Sequence, residues 1–126
     1  MSNKNSFFRD IIIKWLINTL ALFIVVKFIK GINLNATGFD AFIILAVTAA
    51  IIGIINALIR PIILLLTLPI NILTFGLFTF IINGILFAVA GALVKGFEIT
   101  NLWSAIIGYI FFSIISFLLT IIIVDN

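Results

Sequence analysis

Cysteine and histidine are both missing from this chain. Without imidazole or thiol it lacks the usual general base of neutral pH, the usual sulfur nucleophile and the ligands of most transition-metal sites. Charge is nearly as scarce. Seven basic and four acidic residues make up 9% of the chain, where a soluble domain carries about a quarter. So few charges cannot coat a water-soluble surface. The four acids, Asp10, Asp40, Glu98 and Asp125, stand at or near the edges of apolar runs, no two of them close in sequence. None is placed mid-span, where a proton relay would need it. No catalytic residue, metal or cofactor is therefore expected. The absent cysteines leave the redox compartment open. The net charge of +3 is spread out, which suits anionic lipid headgroups and not nucleic acid.

What is present is apolar: 65% of the residues, with a mean hydropathy of +1.50. At about 20 residues per spanning helix, the pattern predicts an all-α integral membrane protein, a single domain of four spans. The first covers about residues 11–29, with Lys14 and Lys27 near its ends, where long stems reach the headgroups. Lys4, Arg9 and Lys14 resemble the basic start of a signal peptide, but the apolar stretch ends in Lys27 and Lys30 with no small-residue cleavage site. An uncleaved first span is expected. The second span covers about 39–59. Arg60-Pro61 then reads as a helix start, because proline at the first helical position lacks only an N–H that has no partner anyway. A short interfacial or re-entrant helix over about 61–67 follows, ended by the second break at Pro69. A kinked helix running on through Pro61 is the less favoured alternative. The third span covers about 70–94 and the fourth about 102–124, with Trp103 and Tyr109 expected at its interfacial end. Four spans put Lys4, Arg9, Lys14 and Arg60 on one side and Lys27, Lys30 and Lys95 on the other. The larger set marks the cytoplasmic side, and both termini with it.

The two loops look alike. Lys30-Gly31-Ile32-Asn33-Leu34 recurs as Lys95-Gly96-Phe97-Glu98-Ile99, and the same offset carries Asn18 onto Asn83. Beyond the loops Phe39-Asp40-Ala41-Phe42 lies against Leu102-Trp103-Ser104-Ala105, with two residues deleted. The chain thus reads as two transmembrane hairpins in tandem, of like orientation and related by a pseudo-twofold axis along the membrane normal.

Asn18 and Asn83 lie well inside apolar runs, and Asn56 precedes Arg60. An amide in hydrocarbon needs a partner, so the three are expected as interhelical hydrogen-bonding groups, Asn18 facing Asn83 near the axis. Arg60 is the one charge between Ala41 and Val94. It is either a topology anchor or a phosphate-binding group for an anionic lipid, with Asp10 and Asp125 as alternative partners. Small residues form stripes: Gly84, Ala88 and Gly91; Ala46, Ala50, Gly53 and Ala57; and Ser104, Gly108, Ser116 and Thr120. Close helix packing is the expected use, with Gly53, Gly84, Ala88, Gly91 and Gly108 at the contacts.

The run Asn56-Ala57-Leu58-Ile59-Arg60-Pro61-Ile62-Ile63, then Leu68-Pro69-Ile70-Asn71 and Ile82-Asn83-Gly84, resembles one family. This is the small four-span bacterial membrane proteins of phage holin superfamily IV, which includes the YvlD-like proteins. Lys95 stands where the family's loop usually has proline. The resemblance implies a multi-pass protein of the bacterial plasma (inner) membrane; it does not by itself imply lysis, because no span has a continuous polar face. Three readings follow. The first is a structural or envelope-associated protein that organises lipid or binds another membrane protein or a second copy. The second is a holin-like pore former. The third is an anionic-lipid-binding or transport protein using Arg60.

Overall fold

Hydrocarbon offers the backbone no hydrogen-bond partners, so a chain of this composition must satisfy its N–H and C=O groups internally. It does so mainly in helices. The computed structural model describes residues 4–124, which form α1 (Lys4–Phe28), β1 (Ile32–Leu34), α2 (Gly38–Ile54), a π-helical segment (Ile55–Ile59), α3 (Arg60–Leu66), α4 (Leu68–Leu73), α5 (Leu77–Ala92), β2 (Phe97–Ile99) and α6 (Leu102–Ile123). Three helical stretches, Ser6–Phe28, Gly38–Leu66 and Leu102–Ile123, are long and apolar enough to cross a membrane, and α5 is a shorter apolar helix. The architecture is an all-α membrane bundle. α1 packs on α2 and α6, and α5 on α6 and α2, closing a ring in the order α1–α2–α5–α6. Its centre holds Leu22, Val25, Ile32 and Thr48, all with almost no exposure.

The two loops meet at one end as a small antiparallel sheet, Ile32 opposite Ile99, Asn33 opposite Glu98 and Leu34 opposite Phe97. This register maps onto itself under the sequence offset, so a local twofold axis passes through the Asn33–Glu98 pair. The flanking bonds obey the same axis: Thr100 N–H donates to the Gly31 carbonyl at 2.8 Å, and Asn35 N–H to the Gly96 carbonyl at 2.7 Å. Gly31 and Gly96 hold φ of 91° and 96°, a left-handed conformation that a Cβ disfavours. That explains why a glycine follows the lysine in both loops.

Two expectations about the middle of the chain need correction. The helix expected to stop before Pro61 instead runs without a break over 29 residues, Gly38–Leu66. Proline removes the N–H that would bond residue 57 and crowds that carbonyl. The π segment absorbs both effects by widening the turn, so that Arg60 N–H donates to the Ile55 carbonyl. At about 1.5 Å per residue this stretch is near 44 Å long, more than a hydrocarbon core of about 30 Å, so it must tilt or emerge. The expected separate helix over 61–67 is thus its continuation.

The expected third span over 70–94 is likewise divided. Thr67 separates α3 from α4, Pro69 starts α4, and a second break over residues 74–76 precedes α5. Phe75 and Gly76 there have φ of 56° and 84°. Hydroxyls and an amide close the gaps: Thr67 Oγ1 donates to the Ile63 carbonyl, Thr74 Oγ1 to the Ile70 carbonyl, and Thr79 Oγ1 to Asn71 Oδ1 at 2.8 Å.

Glycines mark where helices touch and where they do not. A Cβ on Gly84 would lie 2.9 Å from the Ile106 Cα, so α5 and α6 are in near-backbone contact there. Gly91 lies against Phe97 and Ile99, Gly108 against Ile32 and Phe87, and Ala88 is half-buried against the core. Gly53 departs from the packing role expected of it: nothing lies within 4 Å of where its Cβ would be. Opposite responses are expected from the two sites in thermal unfolding of the detergent-solubilised protein. Gly84→Val should lose about 1–3 kcal/mol through overpacking against a backbone that cannot yield. Gly53→Ala should be neutral or gain about 0.5–1 kcal/mol from helix propensity, and a lower midpoint for Gly53→Ala would show that its face is packed after all.

Candidate functional site

The polar side chains of the bundle gather near the end opposite the sheet. Asn18 is buried on α1, and its Oδ1 accepts from Ser116 Oγ of α6 at 2.6 Å. Trp15, one turn away, donates its indole N–H to the Ala46 carbonyl of α2 at 2.7 Å. α1 is therefore tied by one side chain to each neighbour. Together with Lys14, Asn56, Arg60, Tyr109, Ser113 and Thr120, Asn18 and Ser116 line a cavity of about 250 Å³ between α1, the π segment and α6.

Arg60 enters this cavity because of the π turn. Ile52 and Ile55 are buried on the inward face of α2, and helical spacing would bring Ile59 in next. The wider turn moves the stripe on by one residue. Ile59 is 43% exposed, while Arg60 and, beyond it, Ile63 and Leu64 turn inward and are half-buried. The guanidinium lies over the Tyr109 ring, 5.1 Å from its centre. Tyr109 is in turn braced edge-on by Phe87 at 6.0 Å and by Phe112 at 6.2 Å. Tyr109 thus belongs to the wall of the cavity, not to the interfacial belt expected for it; Trp103, 69% exposed, does face outward.

Electrostatically the cavity is one-sided. Lys14 and Arg60 are among its lining residues, and among the described residues no carboxylate lines it. Arg60 Nε is buried without a hydrogen-bond partner among the described residues. Asp10, one of the two partners considered for Arg60, lies 3.9 Å from Arg9 instead, both exposed; Asp125 lies outside the described residues. A ring contact stabilises a cation by about 0.5–2 kcal/mol. An unmade buried hydrogen bond costs about 1–3 kcal/mol, more for a charged group. The two roughly cancel, so the position gives Arg60 little net stabilisation. Arg60 in this position does not pay its way as a structural group.

A second concavity adjoins the first. Lys14 and Asn18 also line an apolar groove of about 740 Å³ between α1 and α2. Its other wall, from α2 and the π segment, holds Ala50, Gly53 and Ala57 of the predicted small-residue stripe, with Ala49, Ile54 and Leu58. The stripe predicted for close packing therefore opens a trough along much of its length.

Comparison with known proteins gives this geometry a family. The family model described as mycobacterial four-span phage holin, superfamily IV, matches residues 9–118. The chain belongs to this family. It is also 32% identical over 124 residues to an uncharacterised protein of Streptomyces coelicolor, covering 94% of this chain and 98% of that one. Against the uncharacterised membrane protein YvlD of Bacillus subtilis it is 33% identical over 108 residues, covering 79% of this chain and 87% of YvlD. No solved structure matches. The chain is therefore a bacterial membrane protein of the phage holin superfamily IV. The matched residues include both loops and the whole Asn56–Pro61 run that positions Arg60.

Against the sequence expectations, the superfamily fold separates the two buried asparagines. Asn18 pairs with Ser116 and not with Asn83, whose Oδ1 is buried without a partner among the described residues. The hairpin match explains the difference. Carrying Phe39 onto Leu102 and continuing along the helices puts Gly53 where α6 has Ser116, and glycine has no hydroxyl to donate. Trp15, which bridges α1 to α2, was not among the expected polar links; its indole N–H inside an apolar run was the available signal. The two asparagines should consequently respond in opposite ways to an apolar replacement of similar shape. Asn18→Leu breaks a buried bond and should lower stability by about 1 kcal/mol or more, whereas Asn83→Leu removes an unsatisfied acceptor and should be neutral or stabilising. Thermal midpoints of both variants in one detergent decide this, and equal losses would contradict the pairing described.

Proposed function

We propose that this superfamily IV protein is a non-catalytic, envelope-associated constituent of the bacterial plasma membrane. It acts by binding lipid or another membrane protein, with the cavity at Arg60 as the point of contact. The observation that carries this reading is a half-buried guanidinium, held on an aromatic face, with its Nε unpaired and no carboxylate lining the cavity among the described residues. A group so placed receives an anion. Lys14 and Arg60 belong to the larger set of basic residues, so we assign this end, and both termini, to the cytoplasmic side.

The family's description favours a second reading, a holin-like pore former that permeabilises the membrane. Against it stands the interior of the bundle. Past the cavity the interior is filled by the Phe87–Phe112 contact, with ring centres 5.7 Å apart, and by Leu22, Val25 and Ile32, almost fully buried. Among the described residues a single bundle therefore offers ions no continuous polar route, and the Ser116 hydroxyl is already bonded between helices. Induced expression in bacteria carrying a membrane-potential dye separates the two. The binding reading expects steady accumulation at an unchanged potential; abrupt depolarisation at a critical protein level would transfer the assignment to the pore.

A further inference from the structure

The cavity and the groove meet at Lys14 and Asn18, which line both. One is polar and cationic, the other apolar and elongated along a helix pair. A ligand that uses both must itself have an anionic end and a hydrocarbon end. We propose that together they form a binding site for one anionic phospholipid, its phosphate against Arg60 and Lys14 and an acyl chain in the trough over Gly53. The proposal rests on the reading of this chain as a binding protein and names the ligand class.

The donors on hand select a phosphate. Ser113 Oγ and Thr120 Oγ1 already donate to the Tyr109 and Ser116 carbonyls, and Ser116 Oγ to Asn18. An incoming anion is therefore met by Arg60, Lys14 and the Asn56 amide. A planar guanidinium fixed over a ring presents its N–H groups as a fork, which matches two oxygens of a phosphate, while an ammonium adds a mobile point charge. Two cations, with no carboxylate among the described residues that line the cavity, favour a lipid of net negative charge over a zwitterionic one. The trough argues for a lipid over free phosphate. A hydrophilic ion has no use for a volume walled by Ile54, Ala57 and Leu58, and Gly53 leaves open space on its floor. Asp10 also lines this groove; its carboxylate is exposed and lies beside Arg9.

The test uses the full chain, delipidated in mild detergent and titrated with dioleoyl phosphatidylglycerol, with dioleoyl phosphatidylcholine as control, bound lipid being counted by native mass spectrometry. Inorganic phosphate is titrated in a parallel arm. One phosphatidylglycerol per chain is expected, with phosphatidylcholine bound more weakly. Arg60→Gln should weaken phosphatidylglycerol about tenfold or more, as loss of a charge-assisted fork implies. Lys14→Gln, at an exposed position, should weaken it roughly threefold without touching the fold. Gly53→Leu fills the trough and should weaken phosphatidylglycerol while leaving any inorganic phosphate binding as it was. Equal lipid binding by the wild type and by folded Arg60→Gln and Lys14→Gln proteins overturns the site. Phosphate competing at the same affinity while Gly53→Leu leaves the lipid unaffected overturns the lipid assignment in favour of a free anion. A depolarising protein that still binds one phosphatidylglycerol would sink the binding reading and leave the lipid site standing, so the two failures are distinguishable.

Discussion

Within a bilayer a polar group that finds no partner in the protein finds none at all. This constraint shapes the chain from its backbone outward. It explains why a proline in the middle of an apolar run is absorbed by a π turn and does not start a new helix. A free helix start at Pro61 would expose N–H groups beside Ala57, Leu58 and Ile59, none of which can cap. At the breaks that do occur, threonine hydroxyls bond backbone carbonyls, and the Asn71 amide accepts from the Thr79 hydroxyl.

The same rule applied to side chains separates the structural from the functional. Asn18, Ser116 and the Trp15 indole satisfy one another or the backbone across helix seams and hold α1 in place. Two buried side-chain atoms among the described residues are left over, the Arg60 Nε donor and the Asn83 Oδ1 acceptor. Asn83 is accounted for by the hairpin match, since the position that corresponds to Ser116 on the other hairpin is Gly53, which has no hydroxyl. Arg60 has no such account. Its surroundings, a second cation at Lys14 and the aromatic wall at Tyr109, are the ground of the binding proposal.

A twofold pattern and departures from it produce that arrangement together. The loops retain the twofold almost completely, down to paired backbone bonds and two left-handed glycines. The helices do not. Gly84 draws α5 onto α6, where the first hairpin has Thr19 at the matching place. Gly53 stands opposite Ser116 in the match, and the Arg-Pro pair that ends the first hairpin has no copy near the end of α6. One half thereby acquires a trough and a charge, and the other a tight seam. The symmetry accounts for the paired loops, and the asymmetry places both Arg60 and the trough over Gly53 in the first half of the chain.

Much of this was legible beforehand. The medium, the four helices, the paired loops and the suspicion attached to Arg60 follow from composition and offset alone, because hydropathy and glycine placement are local properties. The fate of Pro61 was legible in principle, since no capping residue precedes it, but proline's preference for helix starts pointed the other way. What no linear pattern contained was phase and partnership. Whether Asn18 meets Asn83 or Ser116 and whether a small-residue stripe closes or gapes depend on how the helices pack, and whether Arg60 turns toward lipid or toward Tyr109 depends on one extra residue in one helical turn. That rotation is set by how the packed helices settle around the proline, and only the tertiary structure decides it.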